Sequence, residues 1–332
     1  MSKIRPFQIP GDIDIMLKLI EEGFQYPDRP DWNVQDDEKE SMLDSIKSIR
    51  RIWPMIQFLK IFVPYLRDIM RGFIYEEDGI PVGLINFGRQ RNIPEWFIGN
   101  VTVLPRYRRR GIARKLVEAS LAELIHRRAR SAWLEVIAEN EPANRLYEEM
   151  GFTAYSGSSD YDIQLDEPVS PPVFSEGTSL KALKPHNWKI RMEFAQRITP
   201  ELIQHYEPIR KESFKTSRAI LILIPLIQVL SGSKSERFAI LRNGKTVSFG
   251  EYSYRTKTGG LNNARIQVDP DNPEFASLAL DQVLSTVQSK SPGRRLEIHL
   301  KNWQPALLHA AEDVGCTKSF TLHKMAKRLD EN

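Results

Sequence analysis

One pattern occurs twice along this chain of 332 residues. Phe73, Gly79, Val82, Val103 and Pro105 recur 165 positions downstream as Phe238, Gly244, Val247, Val268 and Pro270. The offset then slips to 162 or 163, pairing Glu135 with Glu297 and Pro142 with Pro305. A single Asp-Gly or Asn-Gly hairpin turn is common, but several anchors in fixed order indicate a duplicated fold. Between the copies, residues 166–178 carry Pro168, Pro171 and Pro172 among acids and small residues with no apolar period, the composition of a connection. The expected organisation is a domain over residues 1–168, a linker over 169–178 and a second domain over 179–332.

Each copy reads as alternating strands and helices. In the first, residues 4–9 suit a strand and 13–23 a helix, and 36–70 are helical with breaks near Pro54 and Pro64. Residues 73–76 and 82–89 form a hairpin about Asp78-Gly79, and 96–103 form a further strand. Ala113, Leu116, Val117, Ser120, Leu121, Leu124 and Ile125 then repeat with helical spacing, before a β-rich run at 132–138, a helix at 143–150 and closing strands at 152–165. This is an α/β (α+β) pattern with a strand-helix-strand crossover.

Composition narrows the class. With 41% hydrophobic and 27% charged residues the bulk of the chain folds rather than staying disordered. A single cysteine, Cys316, excludes an internal disulfide and suits a reducing compartment. The six histidines show no ligand spacing, so no metal is expected. The N-terminus lacks an apolar signal core, and the longest apolar run, residues 219–230, contains Pro225 and falls short of the ~20 residues a membrane span needs. The expectation is a soluble cytoplasmic protein with no membrane partner.

The formal net charge is only +4, but residues 101–130 hold nine basic side chains and two acids. That segment is suited to an anion. It contains Val101-Thr-Val-Leu-Pro-Arg-Tyr-Arg-Arg-Arg-Gly-Ile-Ala113, a strand entering a basic turn that opens a helix. A first helical turn leaves backbone N–H groups unpaired at the positive end of the dipole, and a phosphate satisfies both. Small residues at Gly111 and Ala113 let the phosphate approach, while Arg108, Arg109, Arg110 and Arg114 add charge. A second stretch, from Leu134 through Asn140, Ala143, Leu146 and Tyr147 to Gly151-Phe152, is a strand followed by a short helix ending in Gly-Phe.

Together these stretches resemble the GNAT superfamily of acyl-CoA-dependent N-acetyltransferases. Val103-x-Pro105, Arg108-x-x-Gly111-x-Ala113 and the run from Asn140 to Phe152 match its motifs, and the resemblance covers roughly residues 3–165. It implies two tandem GNAT-like domains, each a mixed, mostly antiparallel sheet flanked by helices. It also implies that the central parallel strands, 96–103 and 132–138, splay to admit the pantetheine arm of acetyl-CoA, the co-substrate. Val101, Thr102 and Val103 would meet pantetheine, with an N–H near Val103 as oxyanion donor. Arg108, Arg109, Arg110, Gly111, Ile112 and Ala113 would wrap the pyrophosphate, and Asn140 would touch the arm. Tyr147 would protonate the departing thiolate, although a packed helix aromatic also explains it. For the base, Glu135 matches a glutamate of ribosomal-protein N-terminal acetyltransferases; Glu95 and Asn100 are alternatives, and anchoring an arginine is Glu135's plainer role.

The second copy lacks the turn. Asp-Asn-Pro-Glu-Phe stands between Pro270 and Ala276, without a glycine, with Pro273 lacking an N–H and with Asp269, Asp271 and Glu274 repelling a diphosphate. Where Tyr147 would recur stand Leu307, Leu308, His309, Ala310 and Ala311. The expectation is a degenerate second domain and one working site that transfers acetyl to a primary amine of a small molecule or peptide by direct attack in a ternary complex. A non-catalytic acyl-CoA sensor is the alternative. A nucleic-acid partner would need stacking groups or a recognition helix beside the arginines, and none is evident. The helical insert at 36–70, with Trp53, Met55, Phe58, Phe62 and Tyr65, is expected to cover the acceptor side, or to pack as core. Monomer and homodimer both remain open.

Overall fold

The computed structural model describes residues 2–26, 29–33, 36–37, 39, 53–58, 60–61, 64–89, 93–257 and 260–330. Much of the helical insert expected at 36–70, Phe62 included, lies outside the described residues. By its contacts the chain divides into two units, one of Met1–Gln35, Ile46–Tyr155 and His323–Asn332, the other of Asp36–Ser45 and Ser156–Leu322.

In the first unit, strands β1 (Ser2–Pro6), β2 (Arg71–Glu77), β3 (Ile80–Gly88), β4 (Glu95–Val103) and β5 (Ser131–Ile137) follow one another across the sheet. The first four pair antiparallel and β4 pairs β5 parallel. The β2–β3 turn takes positive φ at Asp78 (52°) and Gly79 (77°), the two-residue hairpin geometry that its sequence demands. Helix α1 (Ile13–Gly23) precedes β2, helix α2 (Ile112–His126) crosses from β4 to β5, and helix α3 (Glu141–Glu149) follows β5. On α2, Ile112, Leu116, Val117, Ser120, Leu121 and Leu124 are buried. Ile125, expected in that stripe, is half-exposed because 100° per residue carries it past the buried arc. Buried Asp68 accepts from Arg71 (2.7 Å), Arg89 (3.1 Å) and Arg127 (3.3 Å), so part of the basic cluster is structural.

The sixth strand of this unit comes from the far end of the chain. Strand β12 (Thr317–Arg328) lies next to β5 in strand order, with its residues from His323 onward in the first unit. Lys324 places its ammonium 4.0 Å from the Trp133 ring, and Leu329 donates its N–H to Arg130 O.

The second unit repeats the order. Strands β7 (Thr178–Ala182), β8 (Ser233–Arg242), β9 (Lys245–Arg255), β10 (Asn262–Val268) and β11 (Arg295–Lys301) are followed by β6 (Thr153–Gln164) and the first part of β12. Between β7 and β8 run α4 (Trp188–Ile198), α5 (Glu201–Tyr206), α6 (Lys211–Phe214) and α7 (Arg218–Ser231), with α8 (Phe275–Lys290) and α9 (Pro305–Asp313) beyond β10. The Asn243-Gly244 turn repeats the positive φ values of its counterpart. The Leu104 N–H to Val82 O bond likewise recurs as Asp269 N–H to Val247 O, in positions shifted by the sequence offset. Leu280, Leu284, Leu296, Ile298, Leu300 and Tyr161 belong to this unit's apolar core. No helix among the described residues is long and apolar enough to cross a membrane.

Candidate active site

Two irregularities in the first unit's sheet create a cleft. Leu84 pairs with Thr102 but Asn86 pairs with Gly99, so β4 carries one extra residue. At that bulge Asn100 has φ of 52° and donates from Nδ2 to Asn86 Oδ1 at 3.1 Å. The parallel ladder between β4 and β5 then ends at Phe97 and Trp133, although the strands continue to Val103 and Ile137. Beyond that point the two strands no longer pair with each other, and their facing edges are left without that partner. The resulting cleft, about 960 Å³, is lined by Val101, Thr102 and Val103 on one side and by Asn140, Ala143 and Tyr147 on the other.

The turn after β4 supplies the floor. Tyr107 and Arg108 donate their N–H groups to Leu104 O and Pro105 O, and the next such bond is Lys115 N–H to Gly111 O. Gly111 precedes α2 at φ of 74° and has no side chain with which to cap it. The N–H groups of Gly111, Ile112, Ala113 and Arg114 therefore find no backbone acceptor among the described residues, the usual state of a first helical turn. Apart from Gly111 and its chain neighbours, no protein atom among the described residues lies within 4 Å of where a Gly111 Cβ would stand, and Gly111 to Arg114 all line the cleft. It fits a diphosphate.

The arginines divide their work. Arg108 lines the cleft, but its guanidinium donates to Gly23 O (2.7 Å) and Val103 O (3.2 Å), tying α1 to the end of β4. Arg109, at φ of 63°, also lines it. Arg110 is outside the lining and pairs with Glu77 at 3.4 Å. Arg114 pairs with Glu149, and Arg145 with Glu141, all four at the cleft. Arg127 pairs with Glu123 and Arg130 with Asp330, away from it.

Helix α3 brings a buried phenol to the cleft. Asn140 caps it, accepting the Ala143 N–H on Oδ1 at 3.3 Å. Asn144 locks the loop after β5 by donating to the carbonyls of Ile137, Ala138 and Asn140. Tyr147 is buried against Phe152, ring centroids 6.0 Å apart, and faces the cleft. Burial, with Tyr26 nearby, pushes its phenol well above the ordinary value of 10, so it stays protonated at neutral pH. Glu135 does not line this cleft; it alternates with buried Leu134 and Val136 and is half-buried itself. Neither Glu95 nor Asn100 lines it.

The sequence reading missed Tyr26 and Trp32. Both line the cleft from the segment after α1, their rings edge-to-face at 5.3 Å. No spacing signal marks them, because, Gly23 apart, the other residues lining the cleft lie far along the chain, from Val101 onward.

The equivalent place in the second unit is closed. Phe275 and Ala276, at the start of α8, donate their N–H groups to Asn272 O and Pro273 O, so these two amides are already used. Gln304, buried ahead of α9, accepts the Val268 N–H (2.9 Å) and donates to Val268 O (2.8 Å). Val268 is the counterpart of Val103. Ala310 and Ala311, both buried, occupy the helix where Tyr147 would recur.

Residues 32–152 match the model of the acetyltransferase (GNAT) family. A [ribosomal protein bS18]-alanine N-acetyltransferase of Escherichia coli is 45% identical over 53 residues, 16% of this chain and 36% of that protein. The chain thus spans about a third of the length of that relative. Among solved structures, a tandem GNAT protein from the clavulanic acid biosynthesis pathway superposes with a TM-score of 0.64 over 99% of both chains at 13% identity. A GCN5-related N-acetyltransferase from Sphaerobacter thermophilus gives 0.66 at 14% identity, over 99% of this chain and 96% of that one. At these identities the two structures speak for the fold alone, and that fold is a tandem GNAT.

Proposed function

We propose, from a chain whose residues 32–152 match the GNAT acetyltransferase family, an acyltransferase that moves acetyl from acetyl-CoA to a primary amine at the first unit's cleft. The observation that carries this reading is the unpaired amide row from Gly111 to Arg114, which opens onto the same cleft as the Tyr147 phenol. A diphosphate bound at the first turn of α2 directs the rest of the arm between β4 and β5, where the free backbone edge near Val103 can pair with its amides and stabilise an oxyanion. Asn140 lines the same path.

In the ternary complex the neutral amine attacks the thioester carbonyl carbon. The C–N bond forms, the C–S bond breaks, and the leaving thiolate takes the Tyr147 proton. The amine's surplus proton passes to water, since Glu135 lies outside the cleft lining, and the phenolate regains a proton from solvent. The bS18-alanine relative acts, by its name, on an alanine amine; a peptide or small-molecule amine suits this site equally. A panel of amines incubated with acetyl-CoA, with thiol release as readout, tests the proposal. Amine-dependent thiol release is expected; no release with any amine, together with no calorimetric binding of CoA, overturns it.

A further inference from the structure

Helix α3, which carries Tyr147, is held at both ends by side chains of one strand. In its first turns, Asn144 Oδ1 meets His323 Nδ1 at 3.1 Å. Past its last turn, the carbonyl of the C-cap Met150 accepts from Lys327 Nζ at 2.7 Å. His323 and Lys327 stand four residues apart on β12, so strand alternation puts both on one face. Tyr147 lies midway along the helix between Asn144 and Met150. The two anchors are 179 and 177 positions along the chain from their partners, beyond the reach of any local pattern.

The donor directions follow from what Asn144 already does. Its Nδ2 donates to the carbonyls of Ile137 (3.0 Å), Ala138 (3.2 Å) and Asn140 (2.9 Å), which leaves Oδ1 as acceptor and places a proton on His323 Nδ1. Asn144 is buried, so removing the imidazole N–H would strand its oxygen. At the other end an ammonium meets a carbonyl left over by the helix, at the negative end of its dipole. One contact orders the start of α3 together with the end of β5, and the other stops its last turn from moving away. A phenol that must reach a departing thiolate loses rate steeply when its support shifts.

We propose that His323 and Lys327 are positioning residues for Tyr147: by holding both ends of α3 they set where its phenol stands in the cleft. The inference rests on the acetyl-transfer reading above. It is tested with full-length His323→Leu, His323→Asn, Lys327→Met, Tyr147→Phe and the His323→Leu/Tyr147→Phe pair, assayed well below the Tm of the least stable variant. The readouts are kcat, the KM for acetyl-CoA and calorimetric CoA affinity. His323→Leu is expected to lower kcat about tenfold, the size of one buried hydrogen bond, and Lys327→Met about threefold. KM and CoA affinity are expected to stay within about twofold, because the amide row that meets the diphosphate is on α2. His323→Asn keeps an N–H near the Nδ1 position and is expected to recover most of the rate. The pair is expected to be no slower than Tyr147→Phe, because His323 acts only through that phenol. A full-rate His323→Leu, an equal loss of CoA affinity, no recovery with asparagine, or a further loss in the pair overturns the inference while Tyr147→Phe remains slow. A full-rate Tyr147→Phe overturns the acid role itself, and the inference with it.

Discussion

The two turns that follow β4 and β10 have the same ancestry of pattern and opposite chemistry. After β4, a left-handed glycine starts α2 with its first N–H groups unspent. After β10, a turn two residues shorter folds the Phe275 and Ala276 N–H groups back onto Asn272 and Pro273, and the acid at Glu274 pairs with Arg242 at 2.7 Å. Gln304 completes the difference by meeting both backbone groups of Val268 with one side-chain amide. A ligand amide would need those same groups. The second unit thus supplies from within hydrogen bonds that the first leaves open at its cleft, and its sheet stays intact.

The sharpest way to break this contrast is to count sites. Calorimetry with CoA is expected to give one site per chain, and a second site would refute the closed reading of the second unit. Tyr147→Phe carries the largest expected loss, a fall in kcat on the order of a thousandfold, the range of general acid catalysis, with CoA still bound; the check is single-substrate kinetics beside calorimetry. Gly111→Glu is expected to weaken CoA binding by about a hundredfold, since a non-glycine residue at that φ is strained and its carboxylate repels the diphosphate. Gln304→Leu is expected to lower stability by about 2 kcal/mol in denaturant unfolding, from two lost hydrogen bonds, and to leave turnover unchanged.

The smallest effect is a pH dependence of the second unit. Burial pushes the Glu236 carboxyl up, but hydrogen bonds from Lys290, Tyr254 and Tyr252 outweigh it and hold the group below its ordinary value of 4.5. A carboxyl that is more acidic when folded stabilises the protein above its unfolded pKa, and that stability disappears as pH falls through the folded value. Acid unfolding of Glu236→Gln is expected to show a shallower loss below pH 4.5 than the parent; equal slopes would assign the acid limb to other carboxyls.

Local chemistry made much of the site legible. The hairpin turns at Asp78-Gly79 and Asn243-Gly244, the glycine before α2 and the asparagine cap of α3 all act within a few residues of themselves, so spacing alone reveals them. Side-chain direction was not legible. Arg108 and Arg110 sit in the same basic run as Arg109, yet one is taken by carbonyls and the other by Glu77. Glu135 has suitable chemistry, but the alternation of β5 and the cleft's position leave it off the lining.

What the sequence determined by itself was the duplication, the order of strands and helices within each copy, and the presence of the basic, glycine-containing turn in only one of them. Those depend on residue type and on separations of a turn or two. Only the tertiary structure decided that Ser156 to Gln164 cluster with the second unit and His323 onward with the first, that Tyr26 faces Tyr147's cleft, and that Gln304 meets Val268. Backbone pairing and packing join positions distant in the chain, and a strand's alternation states which face is apolar without stating which neighbour it will take.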